Sequence, residues 1–129
     1  MNYKDYNKFC RSLPATTHVV QWGGAQVWKV GGKVFAIGGW EGRKYPGITF
    51  KVSPIAFEML RHQPGLRPAP YLASRGMKWI QHYAKPGLPV RDLKAYLRES
   101  HRLVSLGLSR KRQKELGLDQ ARSALAPIG

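Results

Sequence analysis

The chain has 129 residues, enough for one domain whose hydrophobic core needs neither disulfides nor metal. Twenty-two Lys and Arg against seven Asp and Glu leave a net charge of +15, an excess that repels itself in the folded state and favours polyanionic partners, nucleic acid first among them. A single cysteine, Cys10, excludes an intrachain disulfide. No run approaches the ~20 apolar residues of a membrane span, and MNYKDYNKF lacks the apolar stretch of a leader, so a soluble cytoplasmic protein with no membrane partner is expected.

Residues 3 to 13 set Tyr3, Tyr6, Phe9, Cys10 and Leu13 at helical spacing, with Lys4, Lys8 and Arg11 off that stripe. Pro14 ends the helix, and Cys10 on its apolar side reads as a buried thiol rather than a nucleophile. Strands are predicted at about 16–22, 25–30, 33–38 and 47–52. Three Gly-Gly pairs, at 23–24, 31–32 and 38–39, punctuate this region. They match neither a P-loop, which needs Lys and Ser/Thr after its last glycine, nor a dinucleotide loop. The first two read as hairpin turns, because glycine accepts positive φ without a Cβ clash. The third opens a longer loop, GGWEGRKYPG.

Ser53-Pro54 marks a helix start running to about His62. The proline-rich QPGLRPAPYL, residues 63–72, reads as a connector, and MKWIQHY, 77–83, as a fifth strand. From Pro89 to Leu106, Leu93, Tyr96, Leu97, Ser100, Leu103 and Val104 form the apolar stripe of the longest helix. Arg91, Lys94, Arg98 and Arg102 lie on its other side. SRKRQKEL, 109–116, suggests a short basic helix. A single domain over 1–117 and a C-terminal tail over 118–129 complete the organisation.

If residues 22 and 25 pair across the first turn and 30 and 33 across the second, one sheet face collects Val19, Trp28, Val30, Phe35 and Ile37, joined by Ile48, Phe50 and Val52. Helices should cover this face. The other face would carry His18, Val20, Trp22, Val27, Lys29, Val34 and Ala36, with Thr49, Lys51, Lys78 and His82. It is mixed in character and lacks any carboxylate, which suits an anion-facing surface or, through its valines, a dimer contact.

Four histidines and one cysteine form no HExxH or paired C-x-x-C pattern, so neither a metal nor a cofactor is expected. The seven carboxylates are scattered, and Glu58, Asp92 and Glu99 sit where helical ion pairs with Arg61, Arg91 and Arg102 explain them. No enzymatic activity is expected. Residues 1–60 carry eight basic and three acidic side chains, residues 61–129 fourteen and four. Three basic surfaces result. The first is the sheet face, Lys29, Lys51 and Lys78, with Arg43-Lys44 as a wing tip. The second in rank is the cluster Arg110, Lys111, Arg112 and Lys114, and the third is the stripe Lys94, Arg98 and Arg102.

The series QWGG, WKVGGKVFAI, TFKVSP, RPAPYL, WI and ESHRLVSLGLSRK, in this order and spacing, resembles the MmcQ/YjbR family over roughly residues 5–118. His101 departs from it, standing where the family usually has tyrosine. The resemblance implies an α+β two-layer domain, a meander of about four antiparallel strands plus a fifth, with an N-terminal helix and C-terminal helices on one face. It also implies DNA binding, through likeness to the double-wing domain of a phage transcription factor, and it brings no catalytic residues. The expectation is a non-enzymatic DNA-binding protein that holds double-stranded DNA through its phosphates, as a monomer or homodimer. The alternative is an adaptor or chaperone-like interaction domain that dimerises through the open sheet face.

Overall fold

The computed structural model describes residues 1–39 and 47–118. Helix α1, Tyr3–Ser12, starts at Asn2, whose side-chain oxygen accepts the Asp5 N–H at 2.8 Å and so satisfies a donor the first turn would leave unpaired. Strands β1 (Thr16–Gln21), β2 (Ala25–Val30), β3 (Lys33–Gly38) and β4 (Ile48–Lys51) follow. Helix α2, Pro54–Leu60, has Ser53 as its cap and proline in its first turn. Next come β5 (Leu66–Pro68), one 3₁₀ turn (Ala73–Arg75), β6 (Trp79–His82), α3 (Val90–Leu106) and α4 (Arg110–Glu115). Each predicted helix and strand is found to within about two residues.

The described strands form one antiparallel sheet in the order β1-β2-β3-β4-β6-β5. The sixth strand is a correction, for β5 lies inside the segment read as a connector. Its prolines hid it, yet proline is compatible with an edge strand, where a missing N–H breaks no ladder. The helices pack on one face over Trp28, Phe35, Phe50 and Ile80, which join Tyr6, Phe57, Leu60, Leu93, Leu97 and Val104 in one core. Polar ties fix α1 there. Tyr6 Oη donates to the Gln26 carbonyl at 2.9 Å, and Trp28 Nε1 donates to Asn7 Oδ1 at 2.8 Å. Leu118 also reaches this core.

Two local features reverse the predicted faces. Gln21 pairs with Ala25 rather than Trp22 with Ala25, because Trp22, Gly23 and Gly24 form a three-residue loop with φ of 53°, 75° and 104°. A slip of one residue turns a strand over. His18 and Val20 therefore share the helix-side face with Trp28, and Val19 moves to the other. β1 is an edge strand exposed along its middle, so burial did little to specify its register. The second feature is a bulge: Lys29 pairs with Val34 and Trp28 with Ala36, leaving Phe35 as the extra residue. Phe35 and Ala36 both enter the core, and Ile37 turns to the opposite face. His82, paired with both Ile48 and Leu66, also belongs to the helix side.

On the opposite face, Ala25, Val27 and Ile37 form a small second cluster with Val34 beside it. Val27, Thr49 and Gln81 are wholly buried. The middle of this face is thus not the wet surface expected of it, and its exposed valine, Val19, lies on the edge strand β1.

Candidate nucleic-acid interface

The β2–β3 turn organises one end of the sheet. Gly31 and Gly32 hold φ of 58° and 82°, a conformation that resists a Cβ. At Gly31 a Cβ would also stand 2.6 Å from a methyl carbon of Leu108 and 3.2 Å from one of Leu116. These two leucines flank α4, so the short basic helix is seated on the turn. Lys33 reinforces the seat, donating from Nζ to the Gly107 carbonyl at 3.2 Å. Ser109 caps α4 by accepting the Arg112 N–H at 3.1 Å.

Seven of the nine expected site residues lie at this end. Lys29 lies one residue before the last of β2, opposite Val34. Lys51 closes β4 opposite Trp79, and the Val52 N–H bonds the Lys78 carbonyl at 3.0 Å. Lys29 and Lys51 share the face opposite the helices, two strands apart and so about 10 Å between backbones. Lys78 does not share it. Its ammonium lies 4.8 Å from the Phe57 ring centroid, on the helix side, because β6 alternates with Ile80 and His82 turned inward. Arg110, Lys111, Arg112 and Lys114 are all exposed on α4. Lys29, Lys51 and Lys78 of the surface ranked first on sequence and α4, ranked second, therefore lie at one end of the sheet, a basic rim.

Sequence reasoning missed two further cations there. Lys33 follows the turn, and its position next to Gly32 was the available signal. Arg75 sits in the 3₁₀ turn between β5 and β6, a placement hidden until β5 is recognised. Arg43 and Lys44 lie outside the described residues. The strand ends that flank them are joined by a Gly39 N–H to Gly47 carbonyl bond of 2.8 Å, at the end of the sheet opposite the rim.

Opposing charge is sparse. Among the described residues the carboxylates are Asp5, Glu58, Asp92, Glu99 and Glu115, all on helices. At the rim Glu115 engages Arg112 at 3.4 Å. The α3 stripe divides: Arg102 makes two bonds to the Glu99 carboxylate, which raises its pKa and offsets its charge. Lys94 and Arg98 lie over the Phe9 ring at 5.8 and 5.4 Å, on the helix layer rather than at the rim.

The remaining candidate groups make packing contacts. Burial pushes the Cys10 thiol well above its usual range, as it does the Tyr6 phenol. His101 fills its place in the core edge-on to Phe35, with ring centroids 5.2 Å apart, and its Nε2 lies 2.8 Å from the Pro14 carbonyl oxygen. His18 stacks on Trp28 and bonds Gln26 Oε1 at 2.8 Å. Among the described residues no three His, Cys, Asp or Glu side chains gather as a metal site would require, and no helix is long and apolar enough to cross a membrane.

The YjbR family model matches residues 11–103, a span that includes the sheet, the bulge and most of α3. The chain belongs to the YjbR family. Its fold agrees with that of the Deinococcus radiodurans protein DR2400, described as carrying the DUF419 domain, at 26% identity and a TM-score of 0.79, covering 92% of this chain and 90% of that one. A protein from Pseudomonas syringae shares the fold at 21% identity and a TM-score of 0.64, with 80% and 98% covered. No curated protein matches this YjbR chain.

Proposed function

We propose that this YjbR protein is a non-enzymatic nucleic-acid-binding module that grips duplex DNA through its phosphates at the basic rim. The observation that supports this reading is that Lys29, Lys51 and Lys78 lie at the same end of the sheet as the β2–β3 turn on which α4 rests, where Glu115 is the one carboxylate on α4 and the described strands have none. Phosphate oxygens accept from lysine and arginine irrespective of base, so such a rim fixes position without reading sequence. Base stacking on the sheet, the usual route to RNA specificity, is disfavoured because Trp28, Phe35 and Phe50 point into the core. Titrations with duplex DNA, single-stranded DNA and RNA of one length, each at two salt concentrations, test the reading. Duplex DNA is expected to bind tightest and with little dependence on sequence. Equal or tighter binding of single strands would move the assignment to another nucleic acid.

A further inference from the structure

Arg67 is held as no other described arginine is. It stands in β5 opposite Gln81 of β6, and its Nε donates to Gln81 Oε1 at 2.9 Å. Its guanidinium carbon lies 4.5 Å from the Tyr83 ring centroid. Gln81 is held by complete burial, and the Tyr83 backbone is tied by its N–H to the Gly65 carbonyl at 2.9 Å. One edge and one face of the guanidinium plane are therefore set by neutral groups. Its two terminal nitrogens donate to no acceptor among the described residues.

Among the described residues the charge of Arg67 is also uncompensated. Arg61, Arg91, Arg102 and Arg112 each pair with a carboxylate on their own helix, whereas no described strand contains Asp or Glu. A half-buried cation with neutral supports and no counter-charge is unfavourable on its own and gains most from an anion arriving from outside. A pre-oriented guanidinium presents parallel N–H donors that match two oxygens of a phosphate, and it loses little freedom on binding. Lys51 lies on the same sheet face, two residues along β4 from Thr49, which pairs with Gln81. The Cα atoms of Arg67 and Lys51 are thus about 10 to 12 Å apart, a span that two long side chains can close around one tetrahedral anion.

We infer that Arg67, oriented by Gln81 and Tyr83 and assisted by Lys51, forms a binding site for a phosphomonoester. The phosphate either terminates a nucleic-acid strand, which deepens the function proposed above, or belongs to a small phosphorylated molecule, which stands without it. The test follows the Arg67 side-chain Nε–H resonance during titration with inorganic phosphate, and compares a 5′-phosphorylated oligodeoxynucleotide with its 5′-hydroxyl form. In the unaltered protein phosphate shifts the resonance saturably. Read by calorimetric titration, Arg67→Lys, which keeps the charge and loses the fork, weakens phosphate binding at least about tenfold, and Tyr83→Leu, which removes the platform, weakens it in the same direction. A preference of about five- to tenfold for the phosphorylated strand, lost in Arg67→Lys, assigns the site to strand ends. Phosphate binding with no strand preference assigns it to small phosphomonoesters. If phosphate leaves the resonance unmoved and the two strands bind alike, the proposal is overturned and Arg67 merely covers Gln81. Loss of rim binding would lower affinity for both strands and leave their ratio intact, so the two readings fail separately.

Discussion

Replacing Ser100 with alanine should destabilise the domain far more than its small size suggests. The bulge at Phe35 ends regular β3–β4 pairing at Ala36 and Phe50, and the Phe35 carbonyl and Lys51 N–H beyond it are bridged from α3. The Ser100 hydroxyl, fully buried, donates to the Phe35 carbonyl at 2.7 Å and accepts the Lys51 N–H at 2.8 Å. Alanine removes both partners at once. Each buried backbone group left unsatisfied costs about 1–3 kcal/mol, for about 2–6 kcal/mol together. At about 3–6 °C per kcal/mol for a chain of this length, Tm should fall on the order of 10–20 °C. Ser105→Ala is the control, since the Ser105 hydroxyl donates to the His101 carbonyl of its own helix and its loss should change stability by less than about 0.5 kcal/mol. Urea unfolding followed by tryptophan fluorescence reads both variants. Equal, small effects at Ser100 and Ser105 would refute the bridging role.

Two further perturbations probe the turn and the buried histidines. Gly31→Val and Gly32→Val should each lose about 1–2 kcal/mol from left-handed strain, with Gly31→Val the worse because its side chain also meets Leu108 and Leu116; equal losses in urea unfolding would argue that α4 is not seated on the turn. Burial lowers the pKa of His82 and His101 from the ordinary 6.5. Both states are neutral above pH 6.5, so the contribution of these groups is fully present there, and as pH falls below 6.5 the unfolded chain takes up protons first and stability declines. The decline is at most about 1.4 kcal/mol per pH unit per histidine. His101→Tyr should flatten this decline by about half, and an unchanged slope would exclude His101 as a source.

Helices and central strands were legible because their signals are local. Ser53-Pro54 marks a helix start, the stripe from Leu93 to Val104 has the α period, and Gly31-Gly32 fixes a hairpin. The faces were harder to read. One residue more in the Trp22-Gly23-Gly24 loop turned β1 over, and the extra residue at Phe35 turned Ile37 away from the core. Neither alters composition or period enough to be seen, and Val19-Val20 could be placed on either side of an exposed edge. β5 was hidden because Pro68 and Pro70 are turn signals that an edge strand also tolerates. The candidate site was legible in kind, as lysines and a basic helix, but their union required two long-range facts, α4 resting on Gly31 and β4 ending and β6 starting at the same end of the sheet. The Arg67 fork was not legible at all, since it depends on β5 pairing with β6.

The most direct measurement is the salt dependence of duplex DNA affinity. If Lys29, Lys51, Lys78, Arg110, Lys111 and Lys114 each neutralise one phosphate, log K should fall against log salt with a slope of about −5. Replacing Arg110, Lys111 and Lys114 with alanine should flatten that slope by about 3, weaken all sequences alike and scarcely alter Tm, because exposed charges contribute little to folding. A slope untouched by these substitutions, or no detectable binding to duplex DNA at low salt, would contradict a phosphate-gripping rim.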